Sequence, residues 1–298
     1  MQVGVQLPEV ERPVGWAEMR DIALTAEEVG LDSIWVGDHL LYRDELGVRG
    51  PMDAWSLLAA LAEATNRIQL GPLVAATSFH NPAMLAKKAA SVDEISGGRL
   101  ILGLGAGWNQ TEYDAFGFPY ENRVARFEEA FTIIRTLIRD GKIDFEGRFY
   151  TLREMELAPK ARPEIQLMIG SNGPRMLEIV APHIDLWNSW HVWYGNRPEG
   201  LEPLMAQVDT AAKAVGRDPS EIGRTVAALF QLDGGMGRQS SYDRSPSVPI
   251  TGSNDDLVEA LVGFAGAGIA HVQLVVDPID VAGVERMGEV VRQWRSGL

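Results

Sequence analysis

The chain has 298 residues, 46% of them hydrophobic and 23% charged, which suits a large folded core and not a disordered or fibrous chain. Asp and Glu number 41 against 27 Lys and Arg, so the net charge is −14, a poor match for nucleic acid or an anionic membrane surface. There is no cysteine, which excludes disulfides, thiolate metal sites and cysteine nucleophiles and fits a cytoplasmic protein. The first eight residues lack the basic region and long apolar run of a signal peptide. No apolar run approaches the roughly 18 residues of a membrane span.

Short β-rich runs alternate with helical patterns along the chain. Residues 3–7 form a strand ended by Pro8, and Trp16, Met19, Ile22, Ala23, Ala26 and Val29 then recur at helical spacing up to Gly30. Residues 33–37 are a second strand, followed by Trp55, Leu58, Leu61 and Ala62 on one helix face. A third strand opens at 67–70 and runs on through 73–75. Asn81 is a good N-cap and Pro82 a good first residue for the next helix, which reaches Ser96 before Gly97-Gly98. Residues 99–104 are almost all apolar, as a parallel strand buried on both faces requires. Phe127, Ala130, Phe131, Ile134, Leu137 and Ile138 then mark a helix. Later strands are expected at 165–169, 184–187, 225–230 and 272–276, with helices at 174–181, 201–215, 257–265 and 281–294.

Eight β-α units in strict alternation predict an α/β protein of the (β/α)8 TIM-barrel type, one domain over 1–298, in preference to an open doubly wound sheet. The excess length falls in four insertions at roughly 107–121, 141–164, 188–199 and 231–252. The segment 146–150 reads as a small hairpin. The segment 233–249, rich in Gly, Ser and Pro, reads as a loop or lid.

Barrels place chemistry at the C-terminal ends of their strands, so the residues after each strand are the candidates. Strand two ends Gly37-Asp38-His39, and a histidine there is a natural acid/base group, with Asp38 to tune it or hold the loop. A surface histidine in a loop is the alternative. His80 and His191 also follow strands and could line the pocket, whereas His183 and His271 precede strands. No His-x-His or His-Glu-x-x-His pair is present, so no metal site is expected. Strand four ends Gly103-Leu104-Gly105-Ala106-Gly107-Trp108, whose glycines either admit a ligand to the backbone or allow close strand packing. Strand five ends Gly170-Ser171-Asn172-Gly173-Pro174-Arg175 at a helix start, either an anion site or an ordinary capped turn. A cation in that first turn opposes the macrodipole, and a bound phosphate would neutralise it. Leu73, Val74 and Ala75 form a small, uncharged wall suited to a flat ring. Trp35, Trp108, Trp187, Trp190 and Trp193 fall at or just after strand ends.

Taken together, residues 26–39, 67–74, 81–87, 96–108, 145–152 and 169–173 resemble the bacterial luciferase-like flavin and deazaflavin superfamily, over nearly the whole chain. The chain looks most like its members that use the deazaflavin coenzyme F420. The resemblance implies an oxidoreductase, with a tricyclic ring in the barrel mouth and a non-prolyl cis peptide at Leu73-Val74 beneath it. It implies His39 as acid/base with Asp38 beside it. The ring would lie on Leu73, Val74 and Ala75, and the loops Gly105, Ala106, Gly107, Trp108 and Gly170, Ser171, Asn172, Gly173, Arg175 would hold the ribityl phosphate. The family's sugar-phosphate dehydrogenases carry a glutamate where this chain has Trp108, so a small, fairly apolar substrate is favoured. An FMN-dependent two-component monooxygenase and a non-catalytic flavin-binding barrel are the alternatives. The resemblance also implies a homodimer through 52–64 and 84–95.

Overall fold

The interrupted third strand sets the shape of the whole barrel. In the computed structural model, which describes residues 1–44, 47–236 and 247–297, β1 (Gln2–Gln6), α1 (Trp16–Glu28) and β2 (Ser33–Val36) lead to a short hairpin, β3 (Tyr42–Asp44) and β4 (Gly47–Arg49). Then come α2 (Ala54–Ala64), β5 (Gln69–Pro72), β6 (Ala75–Ala76), α3 (Pro82–Ile95) and β7 (Ile101–Gly105). Two helices follow, α4 (Gln110–Phe116) and α5 (Arg123–Asp140), and a second hairpin, β8 (Lys142–Glu146) with β9 (Thr151–Glu156). The chain continues through β10 (Gln166–Gly170), α6 (Pro174–Val180), β11 (Leu186–Trp190), α7 (Glu202–Ala214), β12 (Gly223–Gln231), α8 (Asn254–Gly266), β13 (His271–Asp277) and α9 (Val281–Ser296).

The main sheet runs β5-β2-β1-β13-β12-β11-β10-β7-β6, and every pairing in it is parallel. A parallel bridge from Leu70 in β5 to Leu100, just before β7, closes the order into a ring. β5 and β6 are therefore two halves of one barrel position, and eight positions close the expected (β/α)8 barrel. The predicted strands and helices all appear within a few residues of their expected bounds. The additions are α4, inside the 107–121 insertion, and the 42–49 hairpin, neither of which hydrophobic periodicity marks. The 146–150 turn does join a hairpin, β8 to β9, longer than expected. Residues 237–246 of the expected lid lie outside the described residues.

Strand alternation separates two cores. One set of side chains meets the helices, from Val3 and Ile34 to Val272 and Leu274. The other fills the barrel with Trp35, Leu73, Ile101, Met168, Leu186, Ala227, Leu229 and Val275. Val74 is the partly buried member packed against this interior set. A Cβ on Gly103 would come within 2.2 Å of Pro72 O, one on Gly105 within 2.8 Å of a Val74 methyl, and one on Gly170 within 3.2 Å of Val74. The alternating glycines of β7 thus make room for the break in the third strand, which is the close-packing reading of that run.

The contact predicts a local cost for adding one methyl group. Gly103→Ala is expected to destabilise the fold by about 1–3 kcal/mol, the usual scale of overpacking. Gly266→Ala, with nothing within 4 Å of the added Cβ, is expected to be neutral or stabilising. Thermal unfolding of the two variants checks this, and equal Tm values would contradict it.

Candidate active site

His39 leaves the C-terminal end of β2 into the barrel mouth, with its side chain 18% exposed. Its Nδ1 lies 3.0 Å and 3.2 Å from the two carboxylate oxygens of Glu112, and its Nε2 lies 3.6 Å from Glu9 Oε1. Both carboxylates are buried. Glu9 follows β1 and accepts hydrogen bonds from Gln6 Nε2 at 2.8 Å and Tyr42 Oη at 3.0 Å. Glu112 Oε1 accepts from the backbone N–H groups of Leu40 at 2.6 Å and Leu41 at 3.3 Å. Tyr42 and Trp108 pack on the imidazole, with ring centroids 4.9 Å and 5.6 Å away. Burial alone opposes a charge on His39, but Glu9, Glu112 and Asp38 outweigh it and hold its pKa above the ordinary histidine value.

Asp38 is buried and reaches across to the third barrel position. Its Oδ2 accepts from Ala76 N at 2.9 Å and lies 2.9 Å from His80 Nε2. His80 is thus engaged by Asp38, with its side chain 9% exposed. Thr77 and Ser78 donate to Gly105 O and Ala106 O at 3.2 Å and 3.3 Å, and Tyr113 donates to Ala106 O at 2.8 Å. These bonds bring Leu73, Val74, Ala75, Gly105, Ala106 and Gly107 together at one rim. The Leu73-Val74 peptide is cis, as the resemblance implied.

The second loop is placed as expected but balanced differently. Gly170, Ser171, Asn172 and Gly173 join β10 to α6, and Trp187 Nε1 donates to Ser171 O at 2.9 Å. Arg175 is 54% exposed on its side chain and pairs with Glu128 at 2.7 Å and Glu178 at 2.9 Å. Those two carboxylates already neutralise the cation in the first turn of α6. The unbalanced charge that pointed to a bound phosphate is therefore absent.

The tryptophan cluster also divides. Trp35 is buried inside the barrel and donates to Ser33 Oγ, and Trp187 is buried between strands and helices. Trp108, Trp190 and Trp193 remain at the mouth, Trp108 and Trp193 being about half exposed. His191 is buried and bonded to Ser247, and His271 lies at the far end of the barrel, 2.8 Å from Ser33 Oγ.

Glu9 and Glu112 are the site residues that sequence reasoning missed. Glu9 stands just after the first strand, where the rule applied to the other strands would have found it. Glu112 was hidden because its helix lies in an insertion. The spacing Asn109-x-x-Glu112 is a readable helix start, yet the carboxylate turns toward His39 and not back to its own N-terminus.

A family model for luciferase-like monooxygenases matches residues 1–234. The chain belongs to the luciferase-like monooxygenase family. It is 32% identical to the 5,10-methylenetetrahydromethanopterin reductase of Methanolobus tindarius over 252 residues, covering 84% of this chain and 72% of that protein. It is 31% identical to the F420-dependent glucose-6-phosphate dehydrogenase of Amycolatopsis mediterranei, covering 74% of this chain and 66% of that protein. The solved structure of an F420-dependent secondary alcohol dehydrogenase with an F420–acetone adduct shares the fold, with a TM-score of 0.83 and 22% identity over 99% of both chains.

The two ends of the barrel make opposite demands on histidine. Burial, with a smaller contribution from the amino terminus, pushes His271 down to about 3. Below its unfolded value near 6.5 the unfolded chain binds a proton there that the folded chain does not. Stability is therefore lost as pH falls from 6.5 toward 3, at about 1.4 kcal/mol per unit. Urea unfolding at pH 7 and pH 5 should show a smaller acid loss in His271→Gln than in the parent, and parallel losses would contradict this.

Proposed function

We propose that this protein is an oxidoreductase that transfers hydride between coenzyme F420 and a small, fairly apolar organic substrate. The observation that carries the reading is His39, poised between two buried carboxylates at the barrel mouth. The membership of the luciferase-like family and the F420-dependent relatives support the cofactor. We read the chain as one barrel domain acting in the cytoplasm. A homodimer through α2 and α3 agrees with the exposure of Met84 and Ile95 on α3.

The mouth fits a planar, uncharged ring. Leu73, Met168, Leu229 and Val275 give an apolar floor, and Val74 rises from it partly buried. Leu73, Val74 and Ala75 would support the ring, and the backbone of Gly105, Ala106 and Gly107 with Trp108 would border it. Ser171, Asn172 and Gly173, after Gly170, would hold the ribityl phosphate, with Arg175 free to join only by leaving Glu128 or Glu178. When bound, the deazaflavin supplies two-electron hydride chemistry. His39 supplies the proton that a carbonyl oxygen gains on reduction, or removes the one that an alcohol loses on oxidation. Asp38 acts as a positioning residue, through Ala76 and His80.

Exposure on this face agrees with an apolar substrate. Val48, Trp108, Phe116, Trp193, Met236 and Val248 are exposed in segments that leave the C-terminal ends of strands. At the opposite end, among the described residues, the exposed large apolar side chains at helix termini are Ile95 and Val215. Such a rim favours a neutral, hydrocarbon-bearing ketone or alcohol over a sugar phosphate.

Two measurements test the reading. The protein is expected to bind F420 more tightly than FMN, and equal affinity or a preference for FMN would favour the monooxygenase alternative. His39→Ala is expected to keep cofactor affinity within a few-fold while turnover falls by about 10²–10⁴. Normal turnover with lost cofactor binding would make His39 a ring-positioning group instead.

A further inference from the structure

The two nitrogens of His39 face unequal partners. Nδ1 points into a closed corner, where the fully buried Glu112 carboxylate sits at 3.0 Å and 3.2 Å. Among the described residues, the other hydrogen bonds to that carboxylate come from Leu40 and Leu41 N–H. The Leu40 and Leu41 N–H groups both donate to Oε1, so that oxygen acts as an acceptor, and Nδ1 lies against both oxygens of the same carboxylate. An unprotonated Nδ1 would set its lone pair against those of Glu112. Nε2 faces Glu9 Oε1 at a longer 3.6 Å.

We propose that Glu112 is a positioning residue that locks His39 as the Nδ1–H tautomer, leaving Nε2 as the nitrogen that gives and takes the proton. This rests on the reading of His39 as the proton-exchanging group. In the balanced step, the imidazolium gives its Nε2 proton to the oxygen of the carbonyl whose carbon gains the hydride, and is left as the neutral imidazole with its proton on Nδ1, hydrogen-bonded to Glu112. The reverse step returns a proton from the hydroxyl to the Nε2 lone pair. The groups facing the ring are Glu9 from the segment after β1, Asp38 on its own loop, Tyr42 from β3, Trp108 from the loop after β7 and Glu112 from α4. Glu9 and Glu112 thereby divide two tasks. Glu9 favours the charged ring through space, whereas Glu112 also selects which nitrogen is free. The Trp108 position, a glutamate in the family's sugar-phosphate dehydrogenases, is thus not the source of this carboxylate. Glu112 supplies it from one helical turn further on.

The test uses the cofactor-free protein, so its outcome is independent of whether F420 or FMN is bound. Histidine-selective 15N labelling with two-bond 15N–1H correlation spectra across pH reports the tautomer and pKa of each ring, with His39 assigned by loss of its signals in His39→Asn. The parent is expected to show Nδ1–H with an unprotonated Nε2 above its pKa. Glu112→Gln is expected to shift the neutral ring toward Nε2–H and to lower the pKa. Glu9→Gln is expected to lower the pKa while keeping the Nδ1–H tautomer, a split that a merely structural role for Glu112 would not produce. An Nε2–H tautomer in the parent overturns the proposal even if Glu112→Gln fails to fold. An unchanged tautomer in a folded Glu112→Gln protein overturns it as well.

Discussion

The carboxylate of Asp38 joins the fold to the site. A parallel strand that leaves its ladder for two residues loses hydrogen bonds, and its exposed N–H groups must find other acceptors. Leu73 N donates to Val36 O within the break, and Asp38, just past β2, accepts from Ala76 N where the strand resumes and also meets His80. Thr77 and Ser78 fasten the same turn to the backbone after β7. Val74 can then stand inside the mouth because Gly103, Gly105 and Gly170 present no side chains there. The residue after Asp38 is His39, so the segment that braces the third barrel position also carries the candidate acid/base.

Charge is settled locally in this acidic protein. His39 sits among Glu9, Glu112 and Asp38, which favour its protonated form despite burial. Arg175, the cation nearest the expected phosphate loop in sequence, is committed to Glu128 and Glu178. An anion reaching that loop would depend on backbone amides or on exchange of an ion pair, and surface pairs of this kind are typically worth less than about 1 kcal/mol. The apolar rim and the internally paired arginine are the two observations behind the proposal of a neutral substrate.

Much of this was legible in the residues. Strict alternation of β runs and helices, punctuated by Gly30, Asn81-Pro82 and Gly97-Gly98, is enough for the barrel, because buried parallel strands and one-sided helices differ in period. His39 was legible as a candidate because strand ends carry chemistry in this architecture. The glycine run had two readings, and only the positions of Pro72 and Val74 decide for packing. Glu112 was not legible because its partner lies 73 residues away and its helix is too short to show periodicity. Of the two partners that balance Arg175, Glu178 lies in view three residues on, whereas Glu128 is 47 residues distant and invisible to local charge counting.

The most direct measurement is anaerobic mixing of the protein and reduced F420 with a series of apolar ketones, following the deazaflavin absorbance. Hydride transfer predicts that the cofactor is oxidised without oxygen and that one secondary alcohol forms per cofactor consumed, for at least the ketones that fit the mouth. Absence of any F420 oxidation across the series, together with oxygen uptake and substrate oxygenation when reduced FMN is supplied instead, would contradict it.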